Sequence, residues 1–116
     1  MIAYDASANA DKVLASVIDN AQFLKGLTCH LVMVNKHTHQ EALATAKKSL
    51  QDAEIKVVDS LLEGDVESVL SDYAAQHNID LLIMGAFGHS KLRQFFVGST
   101  TLHMLHRTKI PLLLVH

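Results

Sequence analysis

Asp80-Leu81-Leu82-Ile83-Met84-Gly85-Ala86-Phe87-Gly88-His89-Ser90-Lys91-Leu92-Arg93-Gln94-Phe95-Phe96-Val97-Gly98-Ser99-Thr100 is the stretch on which the fold turns. Its apolar start, residues 81–84, reads as a buried strand, and a helical pattern resumes at Ser99. Between them lie three of the chain's five glycines, within the fourteen residues from Gly85 to Gly98. Glycine lets a backbone approach a ligand closely and reach positive φ, and a helix start offers unpaired N–H groups to an anion. A strand that runs through glycines into a helix is therefore expected to form a phosphate cradle.

Strand-like and helix-like patterns alternate on both sides of this stretch. Ile2-Ala3-Tyr4 is a short apolar run ending at Asp5, and residues 7–9 offer N-cap chemistry for a helix carrying Val13, Leu14, Val17, Ile18, Ala21 and Leu24, closed by Gly26. A second strand is expected over 29–34, a helix of good formers over 40–53 and a third strand over 55–60. Asp65 caps a further helix with Val66, Val69, Leu70, Tyr73 and Ala74 on its buried face, ending near Asn78. After the glycine stretch, residues 99–107 have helical periodicity, and Pro111 introduces a last strand, Leu112 to Val115.

Continuous apolar strands separated by amphipathic helices imply a parallel sheet covered on both faces. The expected fold is doubly wound α/β: five parallel strands in the order 3-2-1-4-5, helices on both faces, in a single domain over residues 1–116. The switch point then falls between the first and fourth strands, and ligands of such sheets sit there, beyond the carboxyl ends. Asp5 and Gly85 would line one crevice although eighty positions separate them.

With 116 residues, 49% hydrophobic and 19% charged, the chain can bury a core. The formal charge of −2 and scattered Lys and Arg argue against nucleic acid as a partner. Cys29 is the only cysteine, inside an apolar run, where it reads as a small buried hydrophobe; no intrachain disulfide is possible, and a reducing cytoplasm is the expected home. No apolar stretch approaches the ~20 residues of a membrane span, and the start lacks the layout of a secretory signal, so no membrane is expected.

The spacing Gly85-x2-Gly88-x9-Gly98-Ser99 fits neither common nucleotide fingerprint. Gly85 and Gly88 would let the turn hug a ligand, Gly98 and Ser99 would present N–H groups and a hydroxyl, and Lys91 and Arg93 would add positive charge. The alternative is that these are ordinary turn glycines and Ser99 an ordinary N-cap.

The same pattern resembles the ATP-binding signature of the universal stress protein family, and so does its context: Asp80-Leu81-Leu82-Ile83-Met84 before it, Lys109-Ile110-Pro111-Leu112-Leu113-Leu114-Val115 after it, and the opening Ile2-Ala3-Tyr4-Asp5-Ala6-Ser7. The resemblance implies an adenine nucleotide, ATP with or without Mg, as cofactor. It would place the backbone near Ala3 and Tyr4 and the side chain of Asp5 against the adenosine, with Val34 near the adenine. Met84, Gly85, Ala86, Phe87, Gly88, His89 and Ser90 would wrap the ribose and α-phosphate, and Gly98, Ser99 and Thr100 would hold the outer phosphates. Such a domain would act in the stress response as a regulatory or sensor module, with at most slow ATP hydrolysis. The chain departs from the family at Ala6, where glycine is usual, and starts almost inside its first strand, as if truncated or one half of a tandem. A module of the same fold that binds no nucleotide and works through dimerisation is the alternative.

Other constellations read plainly. His37 and His39, and His103 and His106, lack the third and fourth convergent ligands of a transition-metal site, so no metal site is assigned. Ser7 and Ser99 have no identifiable relay, and no catalytic residue is assigned. Asp59 with Glu63, and Asp65 with Glu67, are expected around a helix start, where acids favour the dipole. Leu112 to Val115 is an apolar edge strand, expected to pair with a second copy or a tandem partner, as the family resemblance also implies.

Overall fold

The computed structural model describes residues 1–35, 39–85 and 110–115. In chain order the elements are β1 (Ile2–Ala3), α1 (Ala8–Asp19), a 3-10 turn (Ala21–Leu24), β2 (Thr28–Val34), α2 (Gln40–Asp52), β3 (Lys56–Leu62), α3 (Val66–Gln76), β4 (Leu82–Gly85) and β5 (Leu112–Val115). The five strands form one sheet in the order β3-β2-β1-β4-β5, every pair parallel. The doubly wound α/β architecture and its strand order are as the sequence predicts.

α1 and α3 begin where their side-chain caps dictate. Ser7 Oγ accepts from the Ala10 N–H at 3.1 Å to start α1, and Asp65 does the same for Ser68 at 3.1 Å to start α3. The expected first helix stops sooner than its apolar period suggests. Asn20 caps α1, its Nδ2 donating to the Ser16 carbonyl at 2.8 Å, and Ala21 and Leu24 continue the apolar stripe as a 3-10 turn. Gly26, at φ 86, turns the chain into β2 instead of closing the helix.

The sheet buries both faces, and β2 shows the period of two directly. Leu31 and Met33 join Ile2, Val13, Val17, Leu43 and Leu50 beneath α1 and α2, whereas Val32 joins Leu70, Tyr73, Leu82 and Met84 beneath α3. β3 runs two residues beyond the expected end at Ser60, because Leu61 and Leu62 go on pairing with Met33 and Val34 of β2. Asp59 therefore sits mid-strand and not at a helix start; its carboxylate pairs with Lys47 of α2 at 2.8 Å, and that hydrogen bond holds it below the usual carboxylate range.

Candidate functional site at the switch point

The centre of the sheet is notched at its carboxyl end. Ala3, the last residue of β1, lies opposite Val32 of β2 and Met84 of β4, but β2 continues to Val34 and β4 to Gly85. The notch lies where the chain order reverses, between outward winding to β3 and return to β4, which is where such sheets take ligands. Ala3, Val34 and Met84 pack in the same apolar cluster on the α3 face. The sequence-predicted residues Ala3, Tyr4, Asp5, Val34, Met84 and Gly85 are thus brought to one end of the sheet by β1, β2 and β4. Ala86, Phe87, Gly88, His89, Ser90, Gly98, Ser99 and Thr100 lie outside the described residues.

The floor of the notch is a turn set by local chemistry. The Tyr4 N–H donates to the Val32 carbonyl at 2.8 Å, and Asp5 Oδ1 accepts from the Ser7 N–H at 3.0 Å, an Asx turn. Ala6 between them has φ 64, in the left-handed region that favours glycine. The turn expected of a glycine is therefore made with alanine, whose methyl group packs against the core. The Tyr4 side chain points away from any ligand role. It is buried beneath α1 with its hydroxyl donating to Asp11 Oδ1 at 2.7 Å, and burial followed by that hydrogen bond pushes the phenol well above its usual range. Tyr4 can offer only its backbone.

Gly85 has a packing reason that spacing does not reveal. A Cβ on it would lie 3.3 Å from both Cβ and Nδ2 of Asn9, so the absent side chain lets α1 approach β4. Asn9 is buried at 7% exposure, and its Nδ2 donates to the Val115 carbonyl at 3.1 Å, tying the first turn of α1 to the end of β5.

Sequence reasoning also missed Asn35. Directly after β2, at φ 61, its amide grips both polar groups of one residue of the β3–α3 turn: Nδ2 donates to the Gly64 carbonyl at 2.7 Å, and Oδ1 accepts from the Gly64 N–H at 2.9 Å. Its signal was an asparagine at a strand end, the type that most readily takes left-handed φ outside glycine.

At the opposite, amino-terminal end of the sheet a cleft of ≈ 310 Å³ opens among Val17, Leu27, Ile55, Leu81 and Ile83, with His30 and His77 in its lining. His30 Nδ1 is 2.7 Å from the Tyr73 hydroxyl, and Tyr73 stacks on His77 at 3.8 Å. Burial, and then the charge of His77, hold His30 below the usual histidine range. Among the described residues no group of three or more His, Cys, Asp or Glu is arranged to hold a metal ion, and no helix is long and apolar enough to cross a membrane.

Comparison with known proteins agrees with this fold. A universal stress protein of Synechocystis is 40% identical over 97% of this chain and 40% of its own length. The chain spans between 40% and 51% of the length of the curated relatives it matches. The solved structure of protein MJ0577, which shares its designation with a universal stress protein of Methanocaldococcus jannaschii, superimposes with a TM-score of 0.83 at 26% identity, covering 98% of this chain and 93% of the other. A universal stress protein from Archaeoglobus fulgidus in complex with dAMP has the same fold, with a TM-score of 0.76 at 16% identity over 99% of this chain and 94% of that one. The Usp family profile, described as the universal stress protein family, matches residues 1–116. This chain belongs to the universal stress protein family.

Proposed function

We propose that the chain binds an adenine nucleotide, ATP, at the switch-point notch and acts as a regulatory or sensor module through its bound state. The single observation that carries this reading is the notch itself, a strand end cut short between two longer neighbours with Asp5 at its floor. The chemistry of its walls supports a nucleotide. Val34, half-buried against the apolar cluster of the buried Met84, would give an apolar side to a base, Asp5 would give a carboxylate to a ribose hydroxyl, and Gly85 opens the glycine-rich segment in which Gly88, Gly98, Ser99 and Thr100 would receive phosphates. The left-handed Ala6 also answers the main objection from sequence, since the turn forms without glycine.

Structural neighbours solved with dAMP, AMP and cAMP, all under 20% identical, support the ligand class. ATP in place of a monophosphate, and Mg²⁺ on its phosphates, are the finer part of the proposal. The module would work as one domain in the cytoplasm, and would assemble through β5, whose Leu113 is 49% exposed on the sheet edge. Thermal denaturation with saturating ATP and Mg²⁺ tests the reading: ligand at a hundred times its dissociation constant stabilises by about 2.7 kcal/mol. Wild type should show that shift and Gly98→Val should lose it. No shift in wild type refutes the proposal.

A further inference from the structure

Four residues other than glycine have left-handed φ among the described residues: Ala6, Asn35, Glu54 and Asn78. Two follow helix ends and have an ordinary cause. Glu54 follows the cap of α2, with the Glu54 N–H bonded to the Gln51 carbonyl and the Ile55 N–H to Leu50; Asn78 follows the cap of α3, with the Ile79 N–H on the Ala74 carbonyl. Ala6 and Asn35 have no helix to end. Both follow the carboxyl ends of strands that form the notch, β1 at its floor and β2 at its side, and unusual backbone held by its surroundings concentrates at ligand sites.

Asn35 is held from three directions. Its N–H donates to the Leu62 carbonyl at 2.8 Å, which already completes the β2–β3 ladder, and both polar atoms of its side chain then close on Gly64. Gly64 is equally constrained: it lies at φ 130, and a Cβ there would come within 2.9 Å of Val69 Cγ2 of α3. The two residues weld the end of β2 to the β3–α3 turn immediately beside Val34.

We propose that Asn35 is a positioning residue for the nucleobase: its amide clamp on Gly64 fixes the end of β2 and the adjoining turn as the rigid outer wall against which the base seats. This role rests on the nucleotide reading. On that reading Asp5 would take a ribose hydroxyl and the glycine-rich segment the phosphates, so the clamp would act on the base alone.

The test compares wild type with Asn35→Gly, which keeps the left-handed backbone without strain and removes only the amide; Asn35→Ala is the second variant, and circular dichroism checks that each folds. AMP affinity is measured by calorimetry and ribose 5-phosphate affinity by NMR titration. Asn35→Gly should weaken AMP about tenfold, the equivalent of ~1.4 kcal/mol, and leave ribose 5-phosphate within about twofold. Equal loss for both ligands would mean a merely structural clamp, and no loss for AMP would mean no role; either overturns the proposal while nucleotide binding stands. A folded wild type that binds no adenine nucleotide refutes the nucleotide reading and the base wall with it.

Discussion

Gly85→Ala separates packing from ligand binding at the most conspicuous glycine of the chain. The new methyl carbon would lie 3.3 Å from Asn9 Cβ, 3.3 Å from Asn9 Nδ2 and 3.5 Å from the Asn9 carbonyl carbon. The first two contacts are tighter than ordinary van der Waals distance, so α1 must withdraw by a few tenths of an ångström or the Asn9 amide must swing. Withdrawal is an overpacking cost of ~1–3 kcal/mol. A swing breaks the part-buried hydrogen bond from Asn9 Nδ2 to the Val115 carbonyl, also at a cost of ~1–3 kcal/mol. Against either stands a gain of ~0.5–1 kcal/mol from replacing a flexible glycine within a strand. The steric term wins, and the expected net loss is about 1–2 kcal/mol, or roughly 4 °C in Tm per kcal/mol. Urea denaturation followed by circular dichroism without ligand reads it as a lower midpoint at unchanged slope. In an Asn9→Ala background, which removes the Nδ2 contact, the cost of Gly85→Ala should fall by about 1 kcal/mol. A Gly85→Ala variant as stable as wild type, or strictly additive with Asn9→Ala, refutes the packing argument.

Ala6→Gly should change stability by less than about 1 kcal/mol in urea denaturation, because relief of left-handed strain is offset by unfolded-chain entropy and the lost methyl packing; Ala6→Val, branched at the same φ of 64, should cost at least ~2 kcal/mol. His30 titrates below its unfolded value, so the unfolded chain takes up its proton first as pH falls. Its contribution to stability is present above about pH 6.5 and lost as the pH drops through the lower folded value; between pH 7.5 and 5.5 the decline in Tm should be shallower in His30→Leu than in wild type. On the proposed edge pairing, wild type should sediment as an assembly and Leu113→Lys, which places a charge on the exposed edge of β5, should shift it towards monomer; a monomeric wild type, or an assembly unchanged by the charge, contradicts that pairing.

The strand order was legible because four of the five strands carry the apolar runs expected of parallel strands buried on both faces, as in Leu82-Ile83-Met84 and Leu112-Leu113-Leu114-Val115. Ser7 and Asp65 were legible as caps because capping is local. The far end of the edge strand β3 was less legible: Asp59 and Ser60 break its hydrophobicity, which an edge permits, and so detach Leu61 and Leu62 from the strand expected over 55–60. Gly85 was legible as special, but the cause is non-local: Asn9 stands seventy-six positions away, and only the folded chain brings it against β4. The Asn35–Gly64 clamp escaped for the same reason, since two loop-type residues twenty-nine positions apart look like two separate turns.

On the proposed function an adenine nucleotide binds at the notch and not elsewhere on the sheet. Amide chemical shifts of the 15N-labelled protein titrated with AMP, and with ATP and Mg²⁺, test it residue by residue. Saturable shifts are expected at Asp5, Ala6, Val34 and Gly85, with Thr28, Cys29, His30 and Leu81 at the amino-terminal end unmoved. Shifts confined to that opposite end, or none at millimolar nucleotide, would contradict it.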